Sequence, residues 1–409
     1  MTKPDIIAGL DMGSSRITCV LAAQDPGVQS IRILSGASVP CRGLKGGVVV
    51  SISETARAVT QAMEEAEEKG GEVVGEVYLG VRGHHLQSFP NHGAYNIART
   101  DKEITAEDVA NVIENAKAIP MSSDREILHV IPRGFSLDRQ KGVPNPVGME
   151  GSLLEVDVHI VTASSSHLNN LIKSVSQAGF RVVEPIYGML ALGEVVVTPE
   201  EKELGSLLVD IGGQIISLGL YENGSISFSR EITLGSDDIT RDLAYALRTS
   251  LAKAREIKEN HGAAIGSLVD PSEVIAVPGL DGRTMRDWKI ADMLDYILPR
   301  VQDIFERIKK EVQSSNTDFP VAAVLTGGGS LLRGMTEAAE RVMEMQQVRT
   351  GLVSREFVTS DEEYMNPVYS TALGLVCYPS LRSWAYADTQ PRNKKIWKRR
   401  FLSWVQDMF

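Results

Sequence analysis

Two segments of the chain end an apolar run in the same short pattern. IAGLDMGSSRITCVLA and SLLVDIGGQIISLGLY each place Asp-x-Gly after a predicted strand, continue with small residues, and return to a second strand. Small residues let the backbone approach an anion closely, and the N–H groups of such a turn can cradle a phosphate. Asp11 and Asp210 would then stand where a Mg²⁺ ion with its waters bridges them to the phosphates. Because either copy alone is also typical of an ordinary hairpin, the repeat is the informative feature.

A third glycine-rich stretch, LTGGGSLLRG, occupies residues 325–334. Three consecutive glycines between a predicted strand and a helix permit tight contact with a flat ligand such as adenosine. They would also set the N-terminus of that helix near negative charge. Alone, the stretch is more typical of a plain strand-to-helix turn. No Walker A sequence occurs, which excludes a P-loop protein.

The elements that must position these turns follow an α/β order. Residues 1–81 predict three strands, a helix and a strand. The pattern of predicted elements changes from about Arg82 to Thr162, where two predicted strands flank a Pro/Gly-rich loop. We therefore expect a small inserted domain there. A second α/β unit begins near residue 205 with three strands in succession and continues with helices, including one long helix over IADMLDYILPRVQDIFERIKKEV.

The last residues differ in character from the rest of the chain. The whole chain has a formal net charge of −11, yet residues 392–409 hold six bases against one acid, interleaved with apolar residues. On a helix the apolar residues form one stripe, which is typical of a helix lying in a membrane interface. The residues expected to bind the membrane are Trp397, Lys398, Arg399, Arg400, Phe401, Trp404, Val405 and Met408. A partner-binding helix and a helix docked on the protein's own body are the other two interpretations.

Composition limits the classes of protein to which the chain can belong. There is no run of about 18 apolar residues and no secretory signal, so the chain is expected to stay in the cytoplasm. Cys19, Cys41 and Cys377 are odd in number and far apart, which favours reduced, packed thiols. The acidic net charge argues against broad nucleic-acid binding, because that needs an extended basic face.

The order of these motifs resembles the actin/Hsp70/sugar-kinase superfamily. The motifs follow one another in the order known from that superfamily: the first Asp-x-Gly turn, the inserted segment, VVEPIYGMLALG, the second Asp-x-Gly turn and the three glycines. The resemblance implies a two-lobed α/β ATPase fold in which the two hairpins clamp phosphates from opposite lobes. It implies that Glu184 positions metal or water, that Asp210 has a weak catalytic role, and that Lys258 contacts the nucleoside.

The same resemblance implies a set of residues that bind ATP. They are Asp11, Gly13, Ser14, Ser15, Arg16, Gly212, Gly213, Gln214, Lys258, Gly327, Gly328, Gly329 and Ser330. Asp11 and Asp210 would hold Mg²⁺ through water.

Within that superfamily the chain resembles the FtsA family of bacterial cell division proteins over nearly its whole length. The matching segments are LDMGSSRITCV, VEPIYGMLAL, TPEEKELGSLLVDIGG, GSDDITRDLAYAL, IKENHGAA, VLTGGGSLLRG, YSTALGL and the amphipathic tail. The resemblance implies an α/β actin-like fold with a small α+β subdomain inserted in the first lobe. It also implies that Arg286, Lys289 and Arg300 receive the acidic C-terminal tail of the tubulin homologue FtsZ.

The family pattern predicts a division of the chain into lobes. The expected segments are 1–81, the first part of lobe 1; 82–163, the inserted subdomain; 164–204, lobe 1 continued; 205–369, lobe 2 with a smaller subdomain at about 236–300; 370–380, a closing helix of lobe 1; 381–391, a linker; and 392–409, the membrane-targeting helix.

The sequence departs from the family pattern at the second phosphate turn and in the nucleoside helix. Gln214 and Ile215 stand where Gly and Thr are usual, and Ser217 stands where an Asp is expected. Arg255 replaces a ribose-contacting carboxylate, and Glu256 points about 100° away on a helix. We therefore expect weakened ATP binding and at most weak ATPase activity.

Together these features predict an actin-fold protein that binds ATP, forms a homo-polymer and anchors FtsZ filaments, the Z ring, to the cytoplasmic face of the inner membrane at the division site. Its expected partners are the FtsZ tail, further copies of itself, anionic lipids and other division proteins. One alternative is an ATP-dependent kinase of the same fold, which would need a catalytic Asp in a substrate cleft. A second alternative is a PilM-like pilus scaffold, which would share the inserted subdomain but would not be expected to carry this tail.

Overall fold

The computed structural model describes residues 4–25, 30–315 and 320–381, together with the backbone of 387–388. The residues expected to bind the membrane, Trp397 to Met408, lie outside these ranges. Helices and strands are numbered below in chain order. Within the described ranges, every helix is too short or too polar to cross a bilayer.

Lobe 1 is built on a mixed six-stranded sheet. In spatial order its strands are β11 (Arg181–Tyr187), β6 (Glu76–Val81), β1 (Asp5–Met12), β2 (Arg16–Gln24), β3 (Ile31–Pro40) and β19 (Val358–Thr359). Its helices are α1 (Ile52–Gly70), α3 (Ser165–Gln177), α4 (Gly188–Val196) and α10 (Ser370–Leu381). A small hairpin adds β4 (Leu44–Lys45) and β5 (Val48–Val49). Because β19 pairs with β3, the chain has returned to lobe 1 by residue 358, earlier than the expected boundary at 369.

Helices cover both faces of this sheet. The sulfur of Cys19 in β2 lies 3.2 Å from the sulfur of Met63 in α1. Leu10 of β1 pairs with Cys19, and because neighbouring side chains alternate, Gly9 faces the opposite side. A Cβ at Gly9 would lie 2.5 Å from the backbone oxygen of Ala372, so the missing side chain lets α10 pack closely against β1.

Lobe 2 is built on a five-stranded sheet. In spatial order its strands are β14 (Ser225–Ile232), β13 (Ile216–Glu222), β12 (Ser206–Ile211), β17 (Ala322–Thr326) and β18 (Gln347–Thr350). Helix α5 (Pro199–Leu204) leads into β12. The other elements are α6 (Ser236–Leu247), α7 (Leu251–His261), the hairpin β15 (Val274–Pro278) and β16 (Met285–Lys289), α8 (Ile290–Gln313) and α9 (Met335–Met343).

The inserted subdomain lies between β6 and α3 in the chain. Its elements are β7 (Gln87–Asn96), α2 (Ala106–Ala116), β8 (Arg125–Leu137), β9 (Gln140–Val143) and β10 (Leu153–Ser164). Its buried apolar residues form a cluster separate from those of the two lobes. The backbone of β20 (Ala387–Asp388), inside the expected linker, pairs with β8 at the edge of this sheet.

Several helix ends follow from local sequence. The Thr105 hydroxyl accepts a hydrogen bond from Asp108 N at 3.3 Å, and the Asp108 carboxylate accepts from Thr105 N at 2.8 Å, so Thr105 is the N-cap of α2. Helix α1 ends at Gly71, whose φ of 68° suits glycine. The three glycines are separated from α9 by a short connection. Gly328–Leu331 forms a short 3₁₀ turn, and α9 begins only at Met335.

Candidate functional site

The turn between β1 and β2 uses two serine hydroxyls. Ser14 Oγ accepts a hydrogen bond from the backbone N–H of Gly47 at 2.7 Å, which fixes the turn within lobe 1. Ser15 Oγ donates to Asp237 Oδ2 at 2.6 Å, which connects the turn to lobe 2. A Cβ at Gly13 would lie 2.6 Å from a carbonyl oxygen of the same turn, so only glycine fits there.

The turn between β12 and β13 lies against the first one. A Cβ at Gly213 would lie 2.1 Å from Ser15 Oγ, so the close approach of the two turns depends on this glycine. Gln214, whose bulk departs from the family pattern, turns its side chain to lobe 1, where Oε1 accepts from Gly46 N at 3.2 Å. The departure therefore supplies an interlobe contact.

The third turn meets the end of β12. Gly327 has a φ of 80°, and a Cβ there would lie 2.1 Å from Asp210 Oδ1. Ser330 is buried and its hydroxyl donates to the Gly327 carbonyl at 2.8 Å. Ser330 therefore stabilises the turn by a hydrogen bond within it and does not line the cavity described below, whereas Gly327, Gly328 and Gly329 do.

Arg82, directly after β6, lies between the two aspartates of the first two turns. Its Nη2 is 2.9 Å from Asp11 Oδ2, and its Nη1 is 2.9 Å from Asp210 Oδ2. Nη2 also donates to Thr371 Oγ1 at 2.9 Å. The exposed fractions of the side chains are only 9% for Arg82, 11% for Asp11 and 4% for Asp210. One guanidinium thus joins lobe 1 to lobe 2 inside the cleft.

Burial and opposite charge compete in this group. Burial would lower the pKa of Arg82, but the carboxylates of Asp11 and Asp210 outweigh it and hold that pKa above its ordinary value. Burial is the largest effect on Asp11 and raises its pKa, while Arg82 opposes the rise. Arg82 consequently remains a cation at any physiological pH.

The half-buried side chain of Glu231 in β14 lies behind Arg82. Its Oε2 accepts from Gly83 N at 3.1 Å and from Ser217 Oγ at 2.9 Å, and its Oε1 accepts from Tyr187 OH at 2.8 Å. Burial raises the pKa of Glu231 to about 7, although these hydrogen bonds and Arg82 oppose the rise. Ser217, where the family pattern expects an acid, is therefore bonded to an acid on the next strand.

The other end of the site is formed by α6 and α7. Arg255 Nη2 donates to Asp237 Oδ1 at 2.9 Å, and Lys258 Nζ donates to the carbonyl of Ser236 at 3.1 Å. Lys258 is buried, and desolvation lowers its pKa even though Asp237 opposes this. Glu259 lines the same space and provides a carboxylate next to the position where Arg255 removes one.

These groups surround one cavity of about 590 Å³ between the lobes. This volume lies within the usual range of small-molecule sites, roughly 300–1,000 Å³. Of the residues that the sequence assigned to ATP or Mg²⁺, those that line it are Asp11, Gly13, Ser14, Ser15, Arg16, Asp210, Gly212, Gly213, Gln214, Lys258, Gly327, Gly328 and Gly329. Ser330 and Glu184 do not line it; Glu184 lies on β11, half-buried, beside Tyr78 of β6. Lining residues that the sequence reasoning missed include Arg82, Asp237, Glu259, Tyr369 and Thr371.

Asp11 and Asp210 do not fit a shared Mg²⁺ ion in this arrangement. Mg²⁺ needs oxygen ligands at about 2.0–2.1 Å in an octahedron, whereas Arg82 stands between the two carboxylates. Among the residues described, no group of three or more His, Cys, Asp or Glu side chains is arranged to hold a metal.

The residues expected to bind a partner lie away from the cavity, on β16 and α8. Arg286 and Lys289 are exposed at the two ends of the β15–β16 pairing. Arg300 is already engaged: Nε donates to Asp242 Oδ2 at 2.7 Å and Nη1 donates to Asp303 Oδ2 at 2.7 Å. Its charge is thus offset before any partner arrives.

Two family models match the chain. Residues 83–162 match the SHS2 domain inserted in FtsA, and residues 207–374 match the cell division protein FtsA. The cell division protein FtsA of Pseudomonas aeruginosa is 32% identical over 416 residues, covering 99% of this chain and 98% of that protein.

Solved structures share the architecture at low sequence identity. A PilM–PilN type IV pilus biogenesis complex contains a chain with a TM-score of 0.64 and 18% identity, covering 92% of this chain and 99% of that one. MreB5 of Spiroplasma citri bound to ADP gives a TM-score of 0.52 and 11% identity, covering 98% of each chain. The predicted α/β actin-like fold with an inserted subdomain is confirmed.

Proposed function

Because the chain belongs to the FtsA family of cell division proteins, we propose that it binds an adenine nucleotide in its interlobe cleft, polymerises, and anchors FtsZ filaments to the cytoplasmic face of the inner membrane. The matching family models and the relative from Pseudomonas aeruginosa are those of a cell division protein, which favours this function over a kinase or a pilus scaffold. The three activities rest on different parts of the chain and need separate tests.

The nucleotide proposal rests on the convergence of three glycine-rich turns on one cavity. Backbone N–H groups in such turns can bind phosphate oxygens, and Gly13, Gly213 and Gly327 line the cavity at positions where a Cβ would clash with neighbouring protein atoms. Lys258 and Glu259 on α7 provide a polar end suited to the nucleoside. MreB5 of Spiroplasma citri, which shares the fold, has been solved with ADP.

Nucleotide hydrolysis should be slow at best. Gln214 is held by Gly46 and takes up space at the second phosphate turn. Glu184, the residue implied to position water, does not line the cavity. Nucleotide would then act chiefly by holding the lobes together, as a ligand that stabilises the closed state.

Calorimetric titration with ATP in Mg²⁺ buffer tests the nucleotide proposal, with two variants on the same helix. Lys258→Met removes a buried cation from the cavity and should weaken ATP binding by about tenfold. Lys253→Met, at a half-buried position outside the cavity where Lys253 pairs with Glu256, should bind ATP as the parent does. The absence of heat, and of any rise in melting temperature with millimolar ATP, would show that the cleft is not a nucleotide site.

The anchoring proposal rests on the sequence of residues 392–409. Apolar residues of the tail would enter the boundary between headgroups and acyl chains, while its bases stay with anionic phosphates. Trp404→Glu should release the full-length protein from anionic vesicles at any salt concentration. Replacing Arg399 and Arg400 by Ser removes only Coulomb attraction, so its effect should fade as salt rises.

Pelleting with vesicles distinguishes these outcomes. If the Trp404→Glu protein pellets as fully as the parent, the tail is not the anchor and is better interpreted as a partner-binding helix.

For the FtsZ contact we propose the face formed by β16 and α8. Arg286 and Lys289 are exposed bases on this face, and an acidic tail peptide would complement them. Arg300 adds less to this attraction because Asp242 and Asp303 already offset its charge.

A further inference from the structure

We propose that Arg82 is a built-in cation of the phosphate site, so that the chain binds its nucleotide without a divalent ion. The inference rests on the nucleotide function proposed above and adds the chemical form of the ligand. That form is the metal-free anion of a nucleoside polyphosphate.

The first argument is the position of the guanidinium. Arg82 bridges Asp11 and Asp210, each at 2.9 Å, from the first and the second phosphate turn. This is the place where a metal ion would have to stand in order to connect both carboxylates to the phosphates. A guanidinium is planar, permanently charged and able to bind carboxylate and phosphate oxygens at the same time.

The second argument concerns the carboxylate oxygens of Asp11 and Asp210 that Arg82 does not bind. Asp11 Oδ1 is buried and has no hydrogen-bond partner among the described residues. A divalent ion bound at this one oxygen would lie beside the positive charge of Arg82 and would be repelled by it. The second turn's Asp210 cannot complete the site, because its Oδ2 faces Arg82 and its Oδ1 lies against Gly327.

The third argument is that Arg82 can still reach a phosphate. Its Nη2 has two partners, Asp11 and Thr371, which use both hydrogens of that nitrogen. For Nη1 the structure gives one partner, Asp210, among the described residues. A Cβ at Gly212 would lie only 3.8 Å from Nη1, so this nitrogen faces the second phosphate turn. A phosphate cradled by that turn would meet the remaining hydrogen.

The fourth argument is the charge balance of the cavity. Its lining holds four basic side chains and four acidic ones, so the protein wall is formally neutral. They are Arg16, Arg82, Arg255 and Lys258 against Asp11, Asp210, Asp237 and Glu259. Arg82 lies between the two turn aspartates and offsets one of their two charges, so a polyphosphate does not meet an uncovered pair of carboxylates. The protein wall therefore does not need a metal ion to offset its own carboxylates.

Calorimetry on the full chain tests the inference by titrating ATP in excess Mg²⁺ and in EDTA. We expect the two dissociation constants of the parent protein to agree within about threefold. In Arg82→Gln the two carboxylates face each other without a cation, an oxygen pair suited to Mg²⁺. That variant should bind ATP in Mg²⁺ and lose at least tenfold of its affinity in EDTA.

Arg181→Gln is the matched control, because Arg181 forms an exposed ion pair with Glu76 at the opposite end of β6 and lies outside the cavity. It should behave as the parent in both buffers. Circular dichroism and the melting temperature check that each variant is folded. If Arg82→Gln does not fold, the two titrations of the parent protein still decide the inference.

The outcomes separate this inference from the function it rests on. A parent protein that binds ATP in Mg²⁺ and at least tenfold more weakly in EDTA overturns the role of Arg82 and leaves the nucleotide site standing. A parent protein that binds ATP in neither buffer overturns the nucleotide proposal itself, and this inference with it. Equal binding by Arg82→Gln in both buffers would also contradict the role given to Arg82.

Discussion

Two arginines of this chain each lie between two aspartates, in very different surroundings. Arg82 contacts Asp11 and Asp210 at 2.9 Å in the cleft, where its side chain is only 9% exposed. Arg300 contacts two aspartates at 2.7 Å on the surface of lobe 2, where its side chain is 30% exposed. The local chemistry is the same, so the comparison isolates the effect of burial.

Burial changes what each group can do. Water can replace either partner of Arg300, which makes the ion pairs weak and exchangeable. Removing Arg82 leaves two carboxylates buried without a counter-charge, which is costly because water cannot reach them fully. The buried group also spans the two lobes, whereas the exposed one connects α6 and α8 within lobe 2. We therefore expect Arg82 to control the cleft and Arg300 to contribute little beyond local structure.

The largest effect should come from Arg82→Gln in the absence of nucleotide. Breaking a buried pair by removing one partner costs on the order of 3–5 kcal/mol, and this variant should lose about 3 kcal/mol in its free energy of unfolding. Urea denaturation at neutral pH measures the loss. A loss below about 1 kcal/mol would place Arg82 in the same class as an exposed ion pair.

A second test uses Glu231, whose carboxylate accepts hydrogen bonds from Gly83, Tyr187 and Ser217. Its folded pKa of about 7 lies above the ordinary value of 4.5, so the folded state binds the proton more tightly than the unfolded state. The stability from this group is complete below pH 4.5 and is lost as the pH rises through 7. Relative to Glu231→Gln, the parent should lose up to about 3 kcal/mol over this interval.

Urea denaturation of both proteins at several pH values between 4 and 8 provides the measurement. The difference between the two curves is the quantity of interest, because His85 acts in the opposite direction. Burial lowers the pKa of His85 to about 4, which is common to both proteins and cancels. Parallel curves would mean that Glu231 does not gain a proton on folding.

The smallest effect on stability should come from Arg300→Gln. Its aspartates are 33% and 56% exposed, so water replaces the lost contacts and the variant should lose at most about 1 kcal/mol. The same urea series measures it. A loss comparable with that of Arg82→Gln would remove burial as the explanation of the comparison.

The bases on the surface of lobe 2 also allow a binding test. A double change of Arg286 and Lys289 to Gln should weaken binding of an acidic FtsZ tail peptide more than Arg300→Gln does, and the difference should shrink at high salt. Fluorescence titration at two salt concentrations measures both effects. If Arg300→Gln alone abolishes binding, its aspartates must release it when the peptide arrives.

Much of the cleft could be predicted from sequence because its motifs sit at strand ends. Asp11 and Asp210 each lie near the end of a strand, beside a glycine turn, and the order of motifs predicted that those turns lie opposite each other. The same reasoning located Lys258 on α7 and the three glycines after β17. These features depend on local sequence patterns, which can be recognised without knowledge of contacts between distant parts of the chain.

The role of Arg82 was not predicted from the sequence, because no motif surrounds it and one of its partners, Asp11, is 71 positions away. A signal was nevertheless present. Strands β1 and β6 are parallel neighbours with Asp11 opposite Gly80, so a residue that follows β6 must come to the same sheet edge as Asp11. The interlobe contact of Gln214 was missed for a related reason: its partner, Gly46, belongs to the other lobe, and sequence alone shows only the added bulk.

Crystals of the full chain grown with ATP and Mn²⁺ test the role of Arg82 most directly, since manganese gives an anomalous signal and prefers the same oxygen ligands as Mg²⁺. The account predicts nucleotide in the cleft, a phosphate oxygen about 2.7–3.1 Å from the Arg82 guanidinium, and no anomalous peak within coordination distance of Asp11 or Asp210. A manganese peak between the two carboxylates, with the arginine turned away, would contradict it.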